Sequence, residues 1–111
     1  MAKNASSALE MERLNPELMN AKRFLIATTL YLFGPKTEAE LVKALSISWG
    51  DLDSNLRRLR EKGYVEEKKV FTSLGPRTVV KLTDRGVQEY AKLVEELKKV
   101  LSHISSGEKL S

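Results

Sequence analysis

At 111 residues, with 41% hydrophobic side chains, the chain is long enough to bury one core without covalent staples, so a single compact domain is expected. The absence of cysteine excludes disulfides, thiolate metal sites, a cysteine nucleophile and a thiol redox sensor. The lone His103 cannot replace them, so no metal and no other cofactor is predicted. A net charge of +4 and a pI near 9.4 fit a polyanionic partner.

The opening "MAKNASSALEMER" is polar and lacks the apolar core of a signal peptide. Residues 1–14 read as a flexible arm, with a short helical stretch through Leu9 and Leu14. Asn15-Pro16 then forms an N-cap and N1 pair. The helix it opens carries apolar residues from Leu18 to Phe33 and stops at Gly34-Pro35. From Phe24 onward those residues wrap nearly the whole circumference, which implies a second apolar contact beyond the helix's own core. The run "FLIATTLYLF" at 24–33 is about half of what spans a bilayer, so no membrane partner is expected and the predicted location is the cytoplasm.

Thr37 with Glu40 is a capping box opening "EAELVKAL", whose Leu41, Val42 and Leu45 point inward. After the break "SIS", Ser48 caps a third helix that Gly63 closes about four turns later. Two helices separated by three or four residues form a helix-turn-helix. Beyond Gly63 the period changes to that of strands. "YVEEKKVF" and "RTVVKLT" flank the turn "TSLGP", which makes a β-hairpin. Thr83 or Asp84 caps a last helix in which Val87, Tyr90, Val94, Leu97, Leu101 and Ile104 form a heptad seam. Residues 106–111 read as a frayed tail. The fold class is therefore mainly α with a small β-hairpin (α+β): a winged helix-turn-helix over residues 15–83 and a long dimerisation helix over 84–105.

On a helical wheel Leu52, Leu56 and Leu59 make a narrow inward stripe. Ser54, Arg57, Arg58 and Glu61 lie opposite, with Asp51, Asp53 and Arg60 at the margins. A plain surface helix would also carry a charged outer face, and Arg57–Glu61 has the spacing of a surface ion pair. The short helix before it and the hairpin after it favour a recognition helix. Ser54 and Arg57 suit base edges, while Arg58 and Lys62 suit phosphates. Asp51 fits the cap, and Asp53 can accept from cytosine N4 or hold an arginine. Ser48 and Trp49 begin the same helix. Trp49 reads as a core or edge plug, with a base or sugar contact as the alternative. Lys68, Lys69 and Arg77 lie near the hairpin turn, where they either clamp phosphates and enter a minor groove or merely protect an edge strand from aggregation.

The segment "LSISWGDLDSNLRRLREKGYVEEKKVFTSLGPRTVVKLTDRGVQEY", residues 45–90, resembles the winged-helix domains of MarR/ArsR-like transcriptional regulators. The shared pattern is Gly50, Leu52, Leu56, Leu59 and Gly63-Tyr64-Val65, then Pro76-Arg77-Thr78, then Leu82-Thr83 and Gly86. The resemblance implies a homodimeric repressor or activator on palindromic operator DNA. Metal-sensing relatives carry cysteine and histidine ligands that this chain lacks.

The seam from Val87 to Ile104 is roughly 25 Å long at 1.5 Å per residue, more than the small core can cover. With Phe24 and Tyr31 of the first helix it predicts a helical homodimer interface. Two-fold symmetry would set the recognition helices about 34 Å apart, on an inverted-repeat operator in double-stranded DNA. A small-molecule effector would sit between the winged domain and the dimer helices, at residues the sequence does not identify. No enzyme is indicated, because there is no glycine-rich phosphate loop, no clustered carboxylates and no nucleophile–histidine pair. The alternatives are a winged-helix protein-interaction module, or an architectural protein that binds nucleic acid without base readout.

Overall fold

The computed structural model describes residues 13–106, so most of the expected arm and tail lie outside the described residues. The order is α1 (Ala21–Phe33), β1 (Lys36–Thr37), α2 (Glu38–Leu45), α3 (Trp49–Glu61), β2 (Val65–Thr72), β3 (Gly75–Leu82) and α4 (Asp84–Ser105).

Asn15 caps as expected, but it opens a single turn and not the long helix. Its side-chain oxygen accepts from the backbone N–H groups of Glu17 (2.9 Å) and Leu18 (3.1 Å). Five residues on, extended Asn20 accepts from Lys22 (3.1 Å) and Arg23 (3.2 Å) and starts α1 afresh, because an asparagine side chain competes with the helix for these N–H groups. The extra turn buries Leu18 and brings Glu17 toward α3. Helix α1 buries Ile26, Ala27 and Leu30, leaving Leu25, Tyr31, Leu32 and Phe33 exposed.

The capping box at Thr37 and Glu40 forms in both directions (3.0 and 2.8 Å). Ser46, in the left-handed region, ends α2. The Ser48 hydroxyl then accepts from Asp51 N–H (3.0 Å) and starts α3, as predicted. Gly63, at φ 76°, completes a Schellman closure. Its N–H donates to Arg60 O (2.8 Å) while Tyr64 N–H donates to Leu59 O (2.9 Å). That turn sends the chain directly into the wing.

Strands β2 and β3 pair antiparallel from Val65–Leu82 to Thr72–Gly75, leaving Ser73 and Leu74 as the loop. The sheet also holds a strand the sequence does not announce. Residues Lys36–Thr37 pair with Val80 and Val79, giving the order β1-β3-β2 and burying Val80 in the central strand.

Thr83, of the two candidates, caps α4 by accepting from Gly86 N–H (3.0 Å). The expected seam divides into two adjacent stripes. Gly86, Tyr90 and Leu93 are buried and Leu97 partly so, whereas Val87, Leu101 and Ile104 face outward and Val94 lies between. Tyr90 packs on Tyr31 and Phe24, with ring centroids 4.8 and 5.7 Å away, and its hydroxyl lies 2.7 Å from Thr28 Oγ1. Tyr90 is thus held within its own chain, and Leu93, absent from the expected seam, is the core residue beside it.

Candidate nucleic-acid interface

Helix α3 docks through Leu52, Asn55, Leu56 and Leu59 and turns Asp53, Arg57, Arg58, Glu61 and Lys62 outward. Asn55 is the buried polar exception. It donates to Asp51 O (2.8 Å) and accepts from Arg23 (3.0 Å), fixing α3 against α1. A lone amide inside a leucine stripe was its signal in the sequence.

The outward charges differ in what they already hold. Arg58 makes a two-pronged contact with Glu17 (3.2 Å at each oxygen), which keeps the Glu17 carboxyl below its usual range and raises the guanidinium. Arg60 pairs with Glu67. Asp51 pairs with Lys22 of α1 (2.5 Å), so its carboxyl also lies below the usual range. No ion pair joins Arg57 to Glu61, and Arg57 has no hydrogen-bond or charge partner among the described residues. Ser54 is half-buried and donates to Asp51 O (3.2 Å).

Trp49 does not plug the core: it is 57% exposed. It stands at the first position of α3, where its wheel angle carries it past the leucine stripe to the edge facing the wing. There it lines a cleft of about 340 Å³ with Thr37, Glu38 and Ala39 of the α2 start and Pro76-Arg77-Thr78 of β3. The structure therefore brings Trp49 and Arg77 to one place.

Register assigns the wing's faces. Val65, Glu67, Lys69 and Phe71 share the face of buried Val80, and Glu66, Lys68, Val70 and Arg77 share the other. Glu66 pairs with Lys81 (3.3 Å) and Glu67 with Arg60, so neither carboxylate opposes Lys68 or Lys69, which have no ion pair among the described residues. Arg77 donates to the Pro76 carbonyl (2.9 Å).

A carboxylate group that the sequence did not reveal lies where α2, α3 and β2 meet. Glu38 is pushed up to about 7, first by burial, then by the adjoining carboxyl of Glu67 and the charges of Glu67 and Asp53, against Arg60. The three acids are 14 or more residues apart in the chain, so only the fold assembles them.

A family model described as a winged helix DNA-binding domain matches residues 23–101, which run from α1 through most of α4. The chain belongs to the winged helix DNA-binding domain family. This winged helix chain is similar to the transcriptional regulator homologue protein from Pyrococcus horikoshii OT3, at 31% identity and a TM-score of 0.80 over 86% of this chain and 96% of that one. A MarR-family protein from Enterococcus faecalis V583 matches at 24% identity and 0.71, over 95% and 91%. A cysteine-to-serine mutant of MarR from E. coli, complexed with operator DNA, matches at 24% and 0.68, over 96% and 76%. At 24% the likeness is one of fold. Curated protein sequences supply no match. Among the described residues no helix is long and apolar enough to cross a membrane.

Proposed function

We propose that this winged helix protein binds double-stranded DNA sequence-specifically, as a homodimer, and regulates transcription in the cytoplasm at the nucleoid. The observation that carries the reading is the outer face of α3: among the described residues Arg57 stands there without a partner, beside a wing whose Lys68 and Lys69 have no ion pair. In the proposal α3 enters the major groove. Arg57 and Ser54 read base edges and Asp53 accepts from cytosine or steadies an arginine. Lys62 and Arg58 take phosphates, with Glu17 releasing Arg58 as a phosphate replaces it. Ser48 and Trp49 meet the backbone at the helix start, and Lys68, Lys69 and Arg77 flank the adjacent minor groove.

The homodimer reading rests on the outer stripe of α4. Leu101 and Ile104 are 57% and 67% exposed, Val87 on the same stripe is exposed too, and Val94 lines a cleft with Tyr31 and Leu32 of α1. In this division residues 15–83 bind DNA and 84–105 join the protomers.

Selection of duplexes from a random pool tests the reading. The expected result is an inverted repeat with half-sites about one helical turn apart, and a looser preference at defined base pairs for Arg57→Ala. Equal binding of selected and random duplexes would remove specific readout and leave an architectural or protein-binding module.

A further inference from the structure

The two most exposed large hydrophobic side chains among the described residues sit together at the wing tip: Phe71 is 91% exposed and Leu74 80%. We propose that they form an apolar wedge that enters the DNA minor groove and pries apart a base step, an inference that rests on the DNA-binding reading.

Scattered exposed hydrophobic residues need no explanation, but these two share one tight, hydrogen-bonded hairpin tip. Thr72 Oγ1 accepts from Leu74 N–H (3.2 Å) and donates to the Gly75 carbonyl (2.7 Å), bracing a two-residue loop, and Phe71 lies opposite Pro76 across the hairpin. A braced loop backbone loses little freedom when the tip inserts. The Glu67–Val80 pair is the outermost one with a buried member, and the tip pair Thr72–Gly75 lies five positions beyond it. At about 3.3 Å per residue the wing projects roughly 16 Å past the core.

Charge identifies what the tip meets. Lys69 and Arg77 lie on opposite faces of the hairpin within one or two residues of the Phe71–Pro76 pair, with Lys68 behind them. The nearest carboxylates, Glu66 and Glu67, are already engaged by Lys81 and Arg60. An apolar point inside a collar of cations fits a narrow groove walled by phosphates. A second copy of the same tip would set these cations against one another. Side chains of this kind unstack base steps and kink the duplex toward the major groove, most cheaply at flexible pyrimidine–purine steps. The wedge therefore adds a preference for such a step at a fixed distance from the bases that α3 reads.

The test uses the full chain and a 30-base-pair duplex recovered from the random-pool selection, labelled at both ends for energy transfer. Phe71→Ala/Leu74→Ala is expected to melt like the parent, because the tip buries nothing. It should bind about 10- to 100-fold more weakly with an unchanged salt slope, and bend the duplex less. Lys69→Ala, by contrast, should flatten the salt slope and keep the bend. A double variant that binds and bends as the parent does overturns the wedge while leaving DNA binding intact. A fall in its solution mass overturns the wedge in favour of a protein contact. If the parent chain holds no duplex above random DNA, the DNA-binding reading fails and the wedge with it.

Discussion

Gly86→Ala is the substitution for which the structure gives the sharpest expectation. A Cβ built on Gly86 would stand 2.0 Å from the Tyr64 carbonyl oxygen, 2.9 Å from its carbon and 3.1 Å from its Cα. All three are backbone atoms, so no side chain can swing away. Relief requires the start of the wing and the first turn of α4 to separate by about 1 Å, a cost of roughly 1–3 kcal/mol for overpacking. That movement also strains the bond from Thr83 N–H to Tyr64 O (3.0 Å), worth about 1 kcal/mol. Against this stands a helix-propensity gain of about 1 kcal/mol for alanine over glycine. The net expectation is a loss of about 1–3 kcal/mol, or roughly 5–20 °C in melting temperature for a chain of this size, read by circular dichroism at fixed protein concentration. Gly50→Ala supplies the contrast. It lies at the second position of α3, where a Cβ would meet only Ser48 Oγ at 3.9 Å, so the same exchange should raise stability by up to about 1 kcal/mol. A Gly86→Ala melt within two degrees of the parent would refute the close approach of wing and helix.

Three further outcomes follow from other parts of the molecule. Leu101→Glu should halve the solution mass by light scattering and leave the circular dichroism spectrum unchanged, since Leu101 is exposed and lies outside the hydrophobic core of the described residues; an unaltered mass would put the interface elsewhere. Glu38 holds its proton up to about pH 7 in the fold but only to its ordinary 4.5 when unfolded, so the folded state binds more protons between these values. Stability should therefore fall as pH rises from about 4.5 to 7 and then level off. Glu38→Gln should remove that slope and stabilise the chain above pH 7 by about 1–2 kcal/mol after solvent screening, as denaturant titrations at pH 5 and 8 would show. Glu17→Gln frees Arg58 from its ion pair, so affinity for DNA should rise with the salt slope unchanged, whereas Arg58→Ala should flatten the slope of log affinity against log salt by about 0.9; an Arg58→Ala slope equal to the parent's would mean that Arg58 never reaches a phosphate.

Features carried by a local rule were legible in the sequence. The Thr37–Glu40 box, the Ser48 cap and the Gly63 closure each need only a few neighbouring residues, and each forms as read. What was not legible depended on contacts between distant segments. Strand β1 has two residues, too few to show alternation, and exists because β3 offers it an edge. The inner stripe of α4 begins with Gly86, which no hydrophobic pattern can register, so the visible heptad led outward to Val87 and Val94 and passed over Leu93. Of the two structural readings of Trp49, core or edge plug, the core one fails, because its place at the start of the helix sets it at the edge beside the wing. Asn20 interrupted a helix that Asn15 had already capped, and two equally good caps five residues apart do not declare which one starts the longer helix.

The aspartates and glutamates of the recognition region have an account in the same terms. Carboxylates beside a phosphate backbone are repelled, yet Asp51, Glu17 and Glu67 each lie against a cation of another element: Lys22, Arg58 with Arg23, and Arg60. Their positions join the N-terminal turn and α1 to α3, and α3 to the wing. Exposed pairs of this kind add little stability, so their effect is on geometry. They hold the angle between recognition helix and wing and occupy the basic groups that would otherwise bind any polyanion. Among the described residues Arg57, Lys62, Lys68 and Lys69 are left without ion pairs, and under the proposed function that selection would contribute to specificity. Lys22, Arg23, Arg60 and, in the free protein, Arg58 are engaged within the fold. Asp53 stands outside this pattern. It belongs with Glu38 and Glu67 at the junction of α2, α3 and β2, where a proton on Glu38 relieves the repulsion that holds those three acids apart.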